Sequence, residues 1–196
     1  MKKNFLKKVI NHFNDTIIPL TKKSVLSGNK IFSAFIIKKS NLSLVVSGTN
    51  NEIENPLWHG EISAIKNFYQ LSKNKRPNTK DCYFISSHEP CSLCLSAITW
   101  CGFNNFYYLI PYNETNEDFK IPHDLKILKE VFNISNGKYN TNNFYWTSYN
   151  LNKLINKLAK NEQKEMKVNF NNIKFEYKNL SNKYQLNKKN NKIPLK

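Results

Sequence analysis

Two short segments of the 196-residue chain carry side chains able to do chemistry: Trp58-His59-Gly60-Glu61 and Glu89-Pro90-Cys91-Ser92-Leu93-Cys94. Cysteines three positions apart on a first helical turn point to the same side. At a helix N-terminus the dipole favours negative charge and lowers the pKa of a thiol. Cys91 and Cys94 therefore make a good seat for a cation, and His59, at the start of a neighbouring helix, would complete a Cys₂His set. Three protein ligands leave a fourth tetrahedral position for water, the pattern of catalytic rather than structural zinc. Glu61, two residues after His59, can reach that water without being a ligand, as a proton shuttle must. A redox Cys-x-x-Cys has no use for His59 and Glu61, and a zinc ribbon needs a second Cys-x-x-Cys, which the chain lacks. Cys82 and Cys101 read as small apolar packing groups, and His12 and His123 as solvated or capping residues.

The elements that must position these groups follow from periodicity. Phe5, Leu6, Val9, Ile10 and Phe13 form a helical stripe over residues 4–14. Residues 30–38 and 42–47 are β-rich runs joined by Lys39, Ser40 and Asn41, a hairpin. A polar loop, 48–56, leads to a helix over 59–71, with Ile62, Ile65, Phe68 and Tyr69 at helical spacing. A lysine- and proline-containing loop, 72–80, precedes a short buried strand at 82–85. Residues 91–101 form an apolar helix stopped by Gly102. Residues 106–110 are a strand ended by Pro111, 112–122 a polar loop, and 124–132 and 150–160 two further helices. Ile173, Phe175 and Tyr177 alternate as an edge strand would, and beyond Ser181 a loose tail is expected. This order predicts an α/β sandwich with a mixed sheet, the hairpin antiparallel and the two crossovers parallel.

The pattern His-x-Glu…Pro-Cys-x-x-Cys resembles the signature of the cytidine and deoxycytidylate deaminase superfamily. The likeness rests on residues 50–56, on His59-Gly60-Glu61-Ile62-Ser63 and on Glu89-Pro90-Cys91-Ser92-Leu93-Cys94-Leu95-Ser96-Ala97-Ile98. The His-Gly-Glu-Ile-Ser stretch is similar to fungal-type cytosine deaminases. The Cys-x-x-Cys-x-x-Ala-Ile run followed by Trp100 is similar to guanine and tRNA adenosine deaminases. In element order the likeness covers roughly residues 1–135.

The resemblance implies a three-layer α/β/α sandwich around a five-stranded mixed sheet. It also implies Zn²⁺ on His59, Cys91 and Cys94, Glu61 as proton shuttle, and hydrolysis of an amino-bearing nucleobase or nucleoside to its oxo form with release of ammonia. Asn50, in Gly48-Thr49-Asn50, matches the position that bonds the base edge, and a homodimer is the family's habit. Trp58 stands where relatives carry a small residue, in a loop that lines their pocket. His88 either approaches the pocket or simply packs. Glu89 either holds its turn through backbone N–H groups or contacts substrate. Phe144, Tyr145, Trp146 and Tyr149 either stack on a base or belong to a core. Conversion of adenosine to inosine in tRNA and a non-catalytic zinc module are the alternatives to a small-molecule deaminase.

Composition limits the partners. The formal charge is +16, but residues 1–40 hold +8, 161–196 hold +6 and the middle only +2. One arginine, Arg76, stands among 30 basic residues, beside 32 asparagines, so compositional bias accounts for much of the charge. Arginine is the better phosphate reader, which favours a small-molecule substrate over tRNA bound through the basic ends. Residues 1–160 read as the deaminase domain and 161–196 as a basic Lys/Asn-rich extension. No apolar stretch approaches the roughly 20 residues of a membrane span. The lysine-led N-terminus lacks the apolar segment of a signal peptide, so a cytoplasmic protein is expected.

Overall fold

The computed structural model describes residues 2–195. Helix α1 (Lys2–His12) turns Leu6, Val9 and Ile10 inward. A π-turn (Phe13–Ile17) carries the chain into α2 (Ile18–Leu26), whose first turn holds Pro19. A proline there has no N–H to donate back, and the wider turn absorbs the missing bond. Strands β1 (Ser33–Lys38) and β2 (Leu44–Thr49) pair antiparallel, as the hairpin reading predicts. Strand β3 (Cys82–His88) pairs antiparallel with the other edge of β1. Strands β4 (Asn105–Ile110) and β5 (Thr147–Asn150) follow in parallel, giving the order β2-β1-β3-β4-β5. The parallel steps cross through α4 (Ser92–Trp100) and then through α5 (Tyr112–Glu117) and α6 (His123–Phe132).

Strand side chains alternate between faces, and each face has its own core. Phe35 and Ile37 join Leu6, Phe13, Ile85 and Leu109 on one side. Ala34 and Ile36 join Phe68, Phe84, Ile98 and Phe106 on the other, under α3 (Gly60–Gln70) and α4. The result is the expected three-layer α/β/α sandwich around a mixed five-stranded sheet.

The C-terminal third departs from the sequence reading. Ile173, Phe175 and Tyr177 are not an edge strand but part of α8 (Lys160–Asn187). Met166, Phe170, Ile173, Tyr177, Leu180 and Tyr184 are buried, a spacing of three and four that defines one helix face. Phe175, which a strand would align with its neighbours, is 63% exposed. No Gly or Pro interrupts these 28 residues. The tail after Ser181 is not loose either. It continues the helix, and Ile193 beyond it is buried. Residues of α8 share one core with α1 and β1. The fifth strand is instead Thr147–Asn150, and the expected helix at 150–160 shortens to α7 (Leu151–Ile155). Asn150 caps it, accepting from the N–H groups of Asn152 and Lys153. The expected loop at 112–122 holds α5. Among the described residues no helix is long and apolar enough to cross a membrane.

Two glycines set the depth of α3. A Cβ on Gly48 would lie 2.2 Å from the Ala64 nitrogen, and one on Gly60 would lie 2.6 Å from Ser33 Cα. The helix thus seats directly on β1 and β2, and its first turn meets the start of β1.

Candidate active site

His59 caps α3 and Cys91 caps α4, both with extended backbone angles, and Cys94 lies in the first turn of α4. The two helix starts meet and bring the three side chains together. His59 Nδ1 is 3.4 Å from Cys91 Sγ and 3.8 Å from Cys94 Sγ, and the sulfurs are 3.6 Å apart. Zinc bonds of about 2.3 Å to sulfur and 2.0–2.1 Å to nitrogen, set tetrahedrally, give edges of roughly 3.5–3.8 Å. The three atoms thus already describe one face of such a tetrahedron, and the set fits Zn²⁺. Cys82 and Cys101 take no part. Cys82 is buried, its thiol donating to the Asn78 carbonyl, and Cys101 lies at the end of α4. His12 Nε2 bonds the Leu42 carbonyl oxygen.

The electrostatics suit a metal. A hydrogen bond from the Cys94 thiol, with help from His59, holds Cys91 well below the ordinary thiol range, against the effect of burial. Burial, and then the hydrogen bond to Cys91 and its charge, hold Cys94 well above it, so the pair shares one proton. Burial opposes charge on His59, but Cys91, Glu52 and Glu61 outweigh it and raise the imidazole to about 9. Glu61, at the second position of α3, is buried, and its Oε2 accepts from the Cys94 thiol at 3.3 Å. Burial, and then the Cys91 charge, push its carboxyl up to about 7.

A cavity of about 260 Å³ opens onto His59 and Cys91. Its apolar wall includes Phe32, Leu57, Ile121 and Ile127, and the chain end closes it with Ile193, Pro194 and Leu195. Lys30, Glu52, His123 and Asp124 are its polar members. Burial, and then the Cys91 charge, hold the Asp124 carboxyl well above the usual range. Sequence reasoning missed most of this wall. Two signals pointed to it: the charged Lys30 at the edge of an apolar run, and the island Ile193-Pro194-Leu195 in a Lys/Asn-rich tail.

The other residues singled out in the sequence stand elsewhere. Asn50 is fully buried, its Oδ1 accepting from the Gly60 N–H at 2.6 Å and its Nδ2 donating to Glu52 at 2.6 Å. Trp58 faces a separate surface groove, with Lys66 Nζ 3.6 Å from its ring centre. His88 is buried among Phe32, Phe119 and Tyr177, with Nδ1 bonded to Ser87 Oγ at 2.9 Å. Glu89 accepts from the Tyr112 N–H at 3.1 Å and the Tyr139 hydroxyl at 2.8 Å, holding the turn ahead of α4. The aromatic group splits: Trp146 is buried and donates to Thr99, and Tyr149 stacks on Tyr107, while Phe144 and Tyr145 are exposed.

The chain is similar to curated tRNA-specific adenosine deaminases of Rickettsia felis (35% identical over 77 residues, 38% of this chain and 52% of the relative) and Rickettsia typhi (36% over 75 residues, 37% and 49%). It spans about half the length of these relatives. Among solved structures it is similar to a guanine deaminase from Nitrosomonas europaea (TM-score 0.49, 17% identity, 76% of this chain and 80% of that one). It is also similar to a guanine deaminase from Bacillus subtilis (TM-score 0.38, 20% identity, 64% and 97%). The family model for the cytidine and deoxycytidylate deaminase zinc-binding region matches residues 8–110, just over half of the chain and both ligand segments within it, so the chain belongs to that deaminase family.

Proposed function

We propose that the protein is a zinc-dependent hydrolytic deaminase that converts an amino-bearing nucleobase or nucleoside, of cytosine or guanine type, to its oxo form and releases ammonia. The carrying observation is the ligand-spaced set of His59, Cys91 and Cys94, the first two at the wall of a cavity of about 260 Å³, with the Glu61 carboxylate in contact with the buried Cys94. The cavity is smaller than the roughly 300–1,000 Å³ of drug-sized sites, which suits a single base.

His59, Cys91 and Cys94 would hold the ion. Zinc in such a site acts as a Lewis acid and brings the pKa of a coordinated water to about 7. Glu61, buried beside the Cys94 sulfur, is placed to take the proton of the attacking water. It then gives that proton to the ring nitrogen beside the amino-bearing carbon and passes the second to the departing amine. Water and the amine are consumed, and the oxo base and ammonia are formed. Burial of Glu61 excludes competing water, and the apolar wall of Phe32, Ile121 and Ile127 offers the base a face to pack on. A cytoplasmic setting, where thiols stay reduced, suits the four free cysteines. The homodimer implied by the resemblance is supported by the outward apolar pair Leu93 and Trp100 on α4; light scattering tests it.

Deamination of adenosine in tRNA is the second reading, favoured by the names of the curated relatives and by the exposed Phe144 and Tyr145, which could stack on a base. A panel of free bases, nucleosides, nucleotides and tRNA, assayed for ammonia release, decides between them. Turnover of a free base or nucleoside supports the first reading. Turnover of tRNA alone supports the second, and none at all, with zinc bound, leaves the non-catalytic module.

A further inference from the structure

We propose that Glu52, held by Lys30 and Asn50, is a positioning residue that fixes the tautomer and orientation of His59. The inference rests on the reading of His59 as a zinc ligand and concerns what prepares it.

Glu52 and Lys30 are both buried at the cavity wall, 3% and 5% exposed, and their charged atoms are 2.7 Å apart. Burying such a pair removes several kcal/mol of hydration per ion, so the pair alone is weak evidence for a stabilising role. Its placement gives it another one. Glu52 Oε1, the oxygen that meets Lys30, lies 3.8 Å from His59 Nε2, while His59 Nδ1 faces the two sulfurs. A neutral imidazole has one N–H and one lone pair, and a metal needs the lone pair. A carboxylate beside Nε2 draws the proton there and leaves the Nδ1 lone pair for the ion. The distance is that of an ion pair, longer than a hydrogen bond, so the effect acts through charge.

The second carboxylate oxygen ties the same cluster to the backbone. Glu52 Oε2 accepts from Asn50 Nδ2, and Asn50 Oδ1 accepts from the Gly60 N–H, each at 2.6 Å. One buried cluster thus holds the imidazole of His59 and the first turn of α3, on which Glu61 stands. Lys30 holds the same Glu52 oxygen that faces His59.

The test uses the full-length zinc-loaded protein and reads zinc affinity by chelator competition, together with the ¹⁵Nε2–H signal of His59. Glu52→Gln alone leaves the Lys30 ammonium buried without its counter-charge. The deciding variant is therefore Lys30→Met with Glu52→Gln, which removes both charges and keeps an acceptor for Asn50. Loss of the equivalent partner of a ligating histidine typically costs 10–100-fold in metal affinity. The expected result is a fall of that size in the double variant, with faster exchange of the Nε2 proton and a melting temperature near wild type. Affinity within threefold of wild type, or unfolding of the double variant even with zinc, would overturn the proposal. Zinc missing from the wild-type protein would overturn the metal centre and this inference together. Zinc held equally by wild type and variant would overturn the inference alone.

Discussion

The hydroxyls of Ser33 and Tyr177 share a hydrogen bond of 2.5 Å, joining the first residue of β1 to a helix 144 positions later in the chain. Ser33 is also where α3 begins, since Gly60 packs on its Cα. Its N–H donates to Ser87 Oγ at 3.1 Å, which ties in the end of β3. The C-terminal helix therefore buttresses the place from which His59 and Glu61 project. Tyr177→Phe should cost about 0.5–1.5 kcal/mol, a single hydrogen bond. Tyr177→Ala should cost about 3–5 kcal/mol, because a fully buried ring leaves a cavity. Denaturant unfolding measures both. Equal costs for the two variants would show that the hydroxyl, not the ring, carries the contact.

Removing the residues after Ser181 should also be costly. The cut takes away Tyr184 and Ile193, both buried, and with Ile193, Pro194 and Leu195 one wall of the cavity beside His59 and Cys91. The truncated protein should melt earlier and hold a small substrate less tightly, so KM should rise. A truncation with unchanged melting and unchanged KM would show that this wall is dispensable.

Glu61→Gln should keep zinc and lose about 10²–10⁴-fold in turnover, the usual contribution of a general acid–base group. On the proposed mechanism the ligands hold the ion, while Glu61 only moves protons. Elemental analysis should find about one zinc per chain in wild type and in this variant, and much less in Cys91→Ala. More than a tenth of wild-type activity in Glu61→Gln would remove the residue from the mechanism.

His88 gives the fold an acid-sensitive point. Burial, and then the nearby Lys174 charge, push its imidazole down to about 3. Lys174 itself pairs with Glu114 at 2.6 Å. The folded protein therefore binds fewer protons at His88 than the unfolded chain once the pH falls below about 6.5. The stability contributed by the neutral ring is fully present above that pH and is lost as the pH falls towards 3. At about 1.4 kcal/mol per unit the loss reaches several kcal/mol. Unfolding free energy measured from pH 7 to 4 should fall steeply in wild type and less steeply in His88→Gln. Parallel profiles would place the acid sensitivity elsewhere.

The site was more legible in the sequence than the wall around it. His59, Cys91 and Cys94 sit at helix starts that local signals mark, and the spacing of two cysteines on one turn needs no tertiary knowledge. Lys30, Glu52 and Asp124 come to the cavity from three separate segments, and nothing local marks Glu52 or Asp124 for its wall. The C-terminal region misled for a related reason. In Ile173, Phe175 and Tyr177 a period of two overlaps a helical stripe, and only packing against α1 and β1 decides which face is buried. The short strand Thr147–Asn150 has four half-buried residues and no apolar run, so it forms because β4 offers a free edge. Glu89 accepts hydrogen bonds from the Tyr112 N–H and the Tyr139 hydroxyl, and of these two partners only the Tyr112 N–H is of the backbone type that the turn reading expects.

The last expectation concerns salt. The chain carries +16, yet several lysines near the two ends are already paired: Lys3 with Glu162, Lys7 with Glu165, Lys174 with Glu114 and Lys178 with Asp118. The exposed ones among these pairs add little stability, but all four reduce the charge left for a polyanion. The cavity wall offers one lysine, Lys30, and its charge is matched by Glu52. A small neutral base should therefore be turned over with a kcat/KM nearly independent of salt, since no long-range attraction brings it in. A tRNA substrate would behave differently. Each phosphate contact would add roughly 0.7–0.9 to the log–log salt slope, and activity would fall steeply between low and physiological salt. The measurement needs one active small substrate, one tRNA and a salt series. A flat profile on the small substrate with silence on tRNA supports a base or nucleoside deaminase. A steep profile on tRNA, with no turnover of any free base or nucleoside, would replace that reading with the tRNA one.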